Sequence, residues 1–272
     1  MVAGRSGVVI AAFSRAVYLR FDRLHGSDVV ALTTLDVPSG PLHIRVASLP
    51  ELAPGDQVTS CRDALRTVSG SVELPASVWE PTPIADLVRH RTSAADLLRD
   101  VLQHRSSLDL SGNPSDVHAV VRAQGLRAGL ASLAGRGAGL TPAGDDCAAG
   151  ILLVTALLHA EGMPTWPPED LAAAVAGHGS HDIAVAFLRA AAGGQSIEPI
   201  HALLAACVTG DRTEAQRQRE VLAGIGRTSG LDLAYGTLVG LDLADPIAAD
   251  REGLRERETK ESHSATYAVT IR

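Results

Sequence analysis

The ten residues Leu74–Pro83, LPASVWEPTP, divide the chain into two kinds of sequence. Their three prolines remove backbone donors and push the preceding residues away from helical geometry, and no period of two or 3.6 runs through them. They mark a boundary at about residues 75–85. Upstream, VVIAAF, AVYLRF, VVALTTL, LHIRVAS, DQVTSC and SVEL are short and rich in β-branched residues. HGSD, PSGP and APGD lie between them as turn signals, so this part reads as strands. Downstream, the spacing of apolar residues is helical. SAADLLRDVLQH opens with Ser93 and Asp96 placed like a capping box, and Ser115 stands where it could cap the helix SDVHAVVRAQGLRAGLASLA. Further helices are expected over residues 144–160, from Pro168, and over 182–193, 198–208, 213–224, 230–241 and 246–258. The closing SATYAVTIR alternates Ala265, Tyr267, Val269 and Ile271, which fits a strand returning to the N-terminal sheet. The expected fold is α+β: a β-rich domain over residues 1–80, then a mostly helical domain over 81–272.

Charge and composition narrow the function. A net charge of −7 opposes binding to nucleic acid or an anionic membrane, and eight aromatic residues leave little surface for stacking bases. The only lysine is Lys260, in a charged tail. A phosphate-binding Gly-Lys-Ser/Thr loop is therefore absent, as is a lysine for Schiff-base chemistry. An anion bound here must be held by arginine or by backbone N–H groups. Cys61, Cys147 and Cys207 are scattered and form no C-x-x-C pair, which suits a reduced cytoplasm and gives no zinc framework. The longest apolar run, Cys147 to Leu158, is short for a bilayer span.

Chemistry concentrates in GRGAGLTPAGDDCAAG, Gly135–Gly150. Gly135, Gly137 and Gly139 permit positive φ and close approach of a ligand, and Pro142 and Gly144 form a turn that delivers Asp145 and Asp146 to a helix start. Two carboxylates there can cap the helix, bind a cation or orient a substrate amide. A second stretch, GIGRTSGLDLAYG, Gly224–Gly236, repeats the theme: aligned with one gap, TPAGDDCAAG resembles TS-GLDLAYG. Two glycine-rich loops, each feeding a helix N-terminus, would converge on one anion site if their helices pack together. Candidate catalytic residues are Asp145, Asp146 and Asp232. Candidate substrate-binding residues are Gly137, Gly139, Thr141, Gly144, Arg227, Thr228, Ser229 and Gly230, with Arg136 as an alternative cation. Structural punctuation is the competing reading, since Asp at a helix start after glycine is common and Gly150 and Gly236 also suit close helix crossing. Adjacent acids near phosphate are chemically suited to Mg²⁺, although no pattern specifies it. His178 and His181 could ligate a metal but read better as an exposed helix-start turn, and Cys147 as a small core residue.

The segment GAGLTPAGDDCAAGILL resembles the G-x-G-L-T-P-S-G-D-D-x-x-x-G signature of the AllH-type subunits of oxamate carbamoyltransferase, a family known largely as a domain of unknown function. GRTSGLDLAYGTLVGL resembles a second family segment, T-S-G-x-D-x-x-x-G, and SGPLHIRV and LAPGDQV resemble its N-terminal pattern. Ala143 stands where that signature has Ser, and Cys147 where a bulky apolar residue is common. The resemblance implies a role in purine catabolism, interconverting oxalurate and phosphate with oxamate and carbamoyl phosphate. It also implies partner subunits, among them an FdrA-type protein. Whether this chain is itself catalytic is left open. A sugar-kinase-like phosphotransferase and a non-catalytic supporting subunit are the alternatives, the former disfavoured by the lack of alternating β and α segments.

Overall fold

The computed structural model describes residues 4–23, 26–74, 78–102, 117, 120, 121 and 123–244. The expected cap at Ser115, the helix over 246–258 and the terminal strand lie outside these residues.

Among the described residues seven strands form one sheet: β1 (Ser6–Ala12), β2 (Ala16–Arg23), β3 (Gly26–Thr34), β4 (His43–Val46), β5 (Gln57–Ser60), β6 (Ala64–Thr67) and β7 (Gly70–Glu73). Their order is β4-β3-β2-β1-β5-β6-β7. Every neighbouring pair is antiparallel except β3–β4. That parallel pair is joined by the turn-rich segment 35–42 and not by a crossover helix, so the architecture of a sugar-kinase-like fold is absent from the described residues. The six strands expected upstream of residue 75 are all present. β6, too short to show its period, is the addition.

Alternation gives the sheet two apolar faces. Val9, Val17, Leu19, Phe21, Leu32, Ile44, Val58 and Leu65 form a core on one of them. A bulge between Val9 and Ala11 shifts the β1–β2 register. Beyond it, cross-strand partners align Ala11, Tyr18, Ala31 and His43 in one row. This second face packs Ala11 and Val29 against Ile183 and Ala186 of a helix. Polar contacts tie the same seam: Arg20 Nη1 reaches Asp182 Oδ2 at 3.1 Å, and Glu198 N–H donates to the Ser39 carbonyl at 2.8 Å.

The helices are α1 (Leu87–Leu102), α2 (Leu126–Leu133), α3 (Ala143–Ala160), α4 (Pro168–Ala176), α5 (Asp182–Ala192), α6 (Glu198–Thr209), α7 (Arg212–Ala223) and α8 (residues 229–244). Two expectations need correction. The first helix starts at Leu87, before the supposed Ser93 cap, because Glu161 supplies the cap from a distance. Its carboxylate accepts from the N–H groups of Leu87 (3.2 Å) and Val88 (2.9 Å). Ser93, inside the helix, donates its hydroxyl to the His90 carbonyl. The single helix expected before residue 134 breaks at Gly125, whose φ of 85° leaves helical space. α3 is the one described helix long and apolar enough to cross a membrane, but 67% of it is buried inside the fold. It is the central core helix: Ile151, Leu152, Leu153, Val154 and Leu158 are all fully enclosed.

Candidate functional site

The two glycine-rich loops converge. α3 and α8 cross through their glycines: a Cβ at Gly150 would strike the Leu233 carbonyl, and one at Gly236 would strike the Cys147 carbonyl. The loops themselves are built alike. Arg136 N–H donates to the Leu133 carbonyl and Gly144 N–H to the Arg136 carbonyl; Ile225 N–H donates to Leu222 and Gly230 N–H to Ile225. The Pro142 carbonyl accepts from Asp145 and Asp146, as the Thr228 carbonyl accepts from Leu231 and Asp232. Gly137 (φ 109°) packs on Ala143, and Gly226 (φ 61°) packs on Ser229. These bonds relate the two halves by position, pairing Gly144 with Gly230, Asp146 with Asp232 and Ala143 with Ser229. Between Pro142 and Gly150 the correspondence needs no gap. The one-gap alignment read from sequence, which matched Thr141 to Thr228, gives way to one with extra residues between Gly137 and Thr141.

This geometry alters the expected anion cradle. The N–H groups of Gly144 and Gly230 are taken by loop carbonyls, Arg136 at 2.8 Å and Ile225 at 3.2 Å, and so are not free donors. Side chains meet there instead: Thr141 Oγ1 and Ser229 Oγ lie 3.2 Å apart, one hydroxyl from each loop.

The paired aspartates face different surroundings. Asp145 is 2% exposed and turns toward the protein. Its Oδ1 accepts from Gly135 N–H (2.9 Å) and from His178 Nε2 (2.7 Å), and its Oδ2 accepts from Ser180 Oγ. Burial opposes its charge, but the bonds from His178, Ser180 and Gly135 hold its carboxyl below the usual range. His178, expected in an exposed turn, is 1% exposed because it closes on this carboxylate. Asp146 borders a cavity. Loss of solvent pushes its carboxyl well above the usual range, hydrogen bonds from Ser229 and Thr141 pull the other way, and the charges of Asp232 and Asp145 add to the rise. Its Oδ2 is shut off from solvent without a hydrogen-bond partner. Asp232, 1% exposed, acts on Asp146 through charge. Cys147 is a core residue, as expected, and burial pushes its thiol up to about 12. No group of three or more His, Cys, Asp or Glu side chains is placed to hold a metal among the described residues. Both oxygens of Asp145 accept hydrogen bonds from protein donors.

The cavity measures about 690 Å³ and opens between the sheet and the two loops. Gly139, Thr141, Asp146, Arg227, Thr228, Ser229 and Gly230 border it from the loops; Gly137, Gly144, Asp145 and Asp232 do not. Its opposite wall is the sheet, through Tyr18, Thr33 and His43, with Phe13 and Arg15 on the tip of the β1–β2 hairpin. Sequence reasoning missed this wall. The available signal was a polar residue recurring among small ones on strands otherwise apolar: Tyr18 and Thr33 share the face of Ala16 and Ala31. Burial, with Asp146 adding, raises the Tyr18 phenol, and burial lowers His43 although the Pro38 carbonyl opposes the change. Both groups are neutral near pH 7.

Residues 133–241 match the family of oxamate carbamoyltransferase subunit AllH. The match begins at the end of α2 and runs into α8, so it spans both glycine loops and the helices that cross behind them. The N-terminal sheet lies outside it. No curated protein and no solved structure matches the chain.

Proposed function

We propose that the chain is a carbamoyltransferase subunit that binds a small anionic substrate in the cavity between the sheet and the paired loops. One observation carries this reading: the two loops spanned by the AllH match meet at a 3.2 Å hydroxyl contact beside a carboxyl that lines the cavity. In transfer from carbamoyl phosphate to oxamate, the amide nitrogen forms a C–N bond to the carbamoyl carbon. The C–O bond to phosphate then breaks, and the displaced amide proton leaves with the phosphate. Charge develops on the carbamoyl oxygen, where fixed donors matter most. Asp146, Thr141 and Ser229 bring one carboxyl and two hydroxyls together at one place. Arg227, on the second loop, supplies positive charge at the cavity edge for the anionic end, since no lysine is available. Asp145 acts indirectly, holding Gly135, His178 and Ser180 so that the first loop keeps its shape. The charge of Asp232 adds to the rise that loss of solvent imposes on the Asp146 carboxyl. The family description names a subunit, so FdrA-type or other partner subunits are expected to complete the enzyme in the cytoplasm.

The test is carbamoyl transfer by the reconstituted complex. Asp146→Ala or Ser229→Ala lowers the rate by about 10²-fold, the scale of one lost oxyanion donor, while the thermal midpoint is kept. Unchanged turnover in both variants contradicts a catalytic role. It would favour the second reading, a supporting subunit whose cavity serves a partner's active site.

A further inference from the structure

We infer that the sheet wall reads the amide end of the ligand, with Thr33, Tyr18 and His43 as specificity-determining residues; this rests on the ligand site proposed above. Thr33 presents an unpaired hydroxyl to the cavity. It is 1% exposed, borders the cavity, and its Oγ1 has no hydrogen-bond partner. An unpaired buried hydroxyl is costly, and a site that takes a ligand there recovers that cost on binding. His43 presents a ring whose tautomer is fixed. Its Nδ1 lies 2.8 Å from the Pro38 carbonyl, which can only accept, so Nδ1 bears the proton and donates. The ring is then left with Nε2 as a lone-pair acceptor. The third is Tyr18, whose phenol stays protonated and either donates or accepts.

Backbone pairing sets these groups side by side. Tyr18 pairs with Ala31, Ala31 pairs with His43, and Thr33 lies two residues along β3 on the same face. Ala16, which pairs with Thr33 across the sheet, is small and borders the cavity beside them. The wall therefore offers acceptors and donors together, and none of its three groups is charged. A primary amide or ureido group, which both donates and accepts without charge, satisfies it. A carboxylate offers acceptors only; it would face the Nε2 lone pair of His43 and lose its hydration beside three uncharged groups, the Arg15 guanidinium at the hairpin tip being paired with Asp36 at 2.9 Å. The charged end of a two-ended ligand is instead directed toward Arg227 on the loop side. Most of the wall is supplied by residues outside the AllH match, so the sheet sets selectivity while the matched loops supply the transfer chemistry.

The test uses calorimetric titration of the full chain with oxamate and with oxalate, which differ by an amide against a carboxylate. The wild-type chain is expected to prefer oxamate at least about tenfold, the discrimination typical of one unpaired polar contact. Thr33→Val and Tyr18→Phe each reduce oxamate affinity at least about fivefold and leave oxalate affinity nearly unchanged, whereas Thr33→Ser retains the preference. Thr33→Val also raises the thermal midpoint, because it removes an unsatisfied hydroxyl, an effect opposite to that of a merely structural role. Equal affinities in the wild type, or an unaltered preference in both Thr33→Val and Tyr18→Phe, overturn the wall assignment and leave the cavity standing as the site. No binding of either ligand overturns the wall assignment and the proposed site together.

Discussion

At the residue scale, Asp145 and Asp146 have the same side chain at adjacent positions and opposite environments. Neighbouring residues at a helix start point about 100° apart, so one turns into the loop and its neighbour into the cavity. Asp145 has a lowered carboxyl, so its stabilising contribution is present above the unfolded value near 4 and is lost as pH falls through the folded value. Asp146 is the reverse: its raised carboxyl imposes a cost that accumulates as pH rises from about 4 toward its folded value. Urea denaturation at several pH values separates them. Asp146→Asn should stabilise the fold relative to wild type, increasingly as pH rises above about 4. Asp145→Ala should cost about 3 kcal/mol at neutral pH, the scale for breaking a buried charged network, with a deficit that shrinks in acid. Parallel pH curves for the two variants would contradict these environments. That both acids stand at a helix start after a glycine turn was legible from the sequence. Their division of labour was not, because it depends on His178 and Ser180, more than thirty residues away. Ala143 shows the same limit. The hydroxyl missing there relative to the family signature is present at the matching position of the second loop, Ser229, which bonds to Asp146.

At the element scale, the site depends on two helices approaching more closely than side chains allow. Gly150 and Gly236 meet the partner helix's backbone directly, and Gly240 packs against Ile151 and Val154. Gly150→Ala or Gly236→Ala should therefore destabilise by about 3 kcal/mol, the upper part of the range for overpacking. Each should also weaken ligand binding by separating Thr141 from Ser229. A thermal midpoint and an oxamate titration within error of wild type would show that the crossing tolerates a methyl group. The cap on α1 is milder: Glu161→Ala should cost about 1 kcal/mol by thermal denaturation, as two N–H groups and the helix dipole lose a carboxylate. The crossing glycines were legible as a close-packing motif, and the helix bounds followed the sequence pattern closely from residue 143 to 244. The start of α1 was not legible, because its capping residue lies 73 positions away from Val88.

At the scale of the whole molecule, the cavity exists only where the two parts of the chain meet. The β-to-helix change near LPASVWEPTP was readable, as was the convergence of the two loops. The wall facing them was not, since pairing along the sheet and packing against α5 bring Tyr18, Thr33 and His43 to the loops from far away in sequence. Loosening that seam should disturb both stability and binding: Ile183→Ala is expected to cost about 3 kcal/mol, as for other buried Ile truncations, and to weaken oxamate binding although it contacts no ligand. Full retention of affinity in that variant would mean that the sheet contributes nothing to the site. The most direct measurement is the position of oxamate in a crystal of the full chain. The ligand is expected between Tyr18 and Thr33 of the sheet and Asp146 and Ser229 of the loops, with its amide against the sheet and its carboxylate toward Arg227. Oxamate bound anywhere else, with this cavity unoccupied, would contradict it.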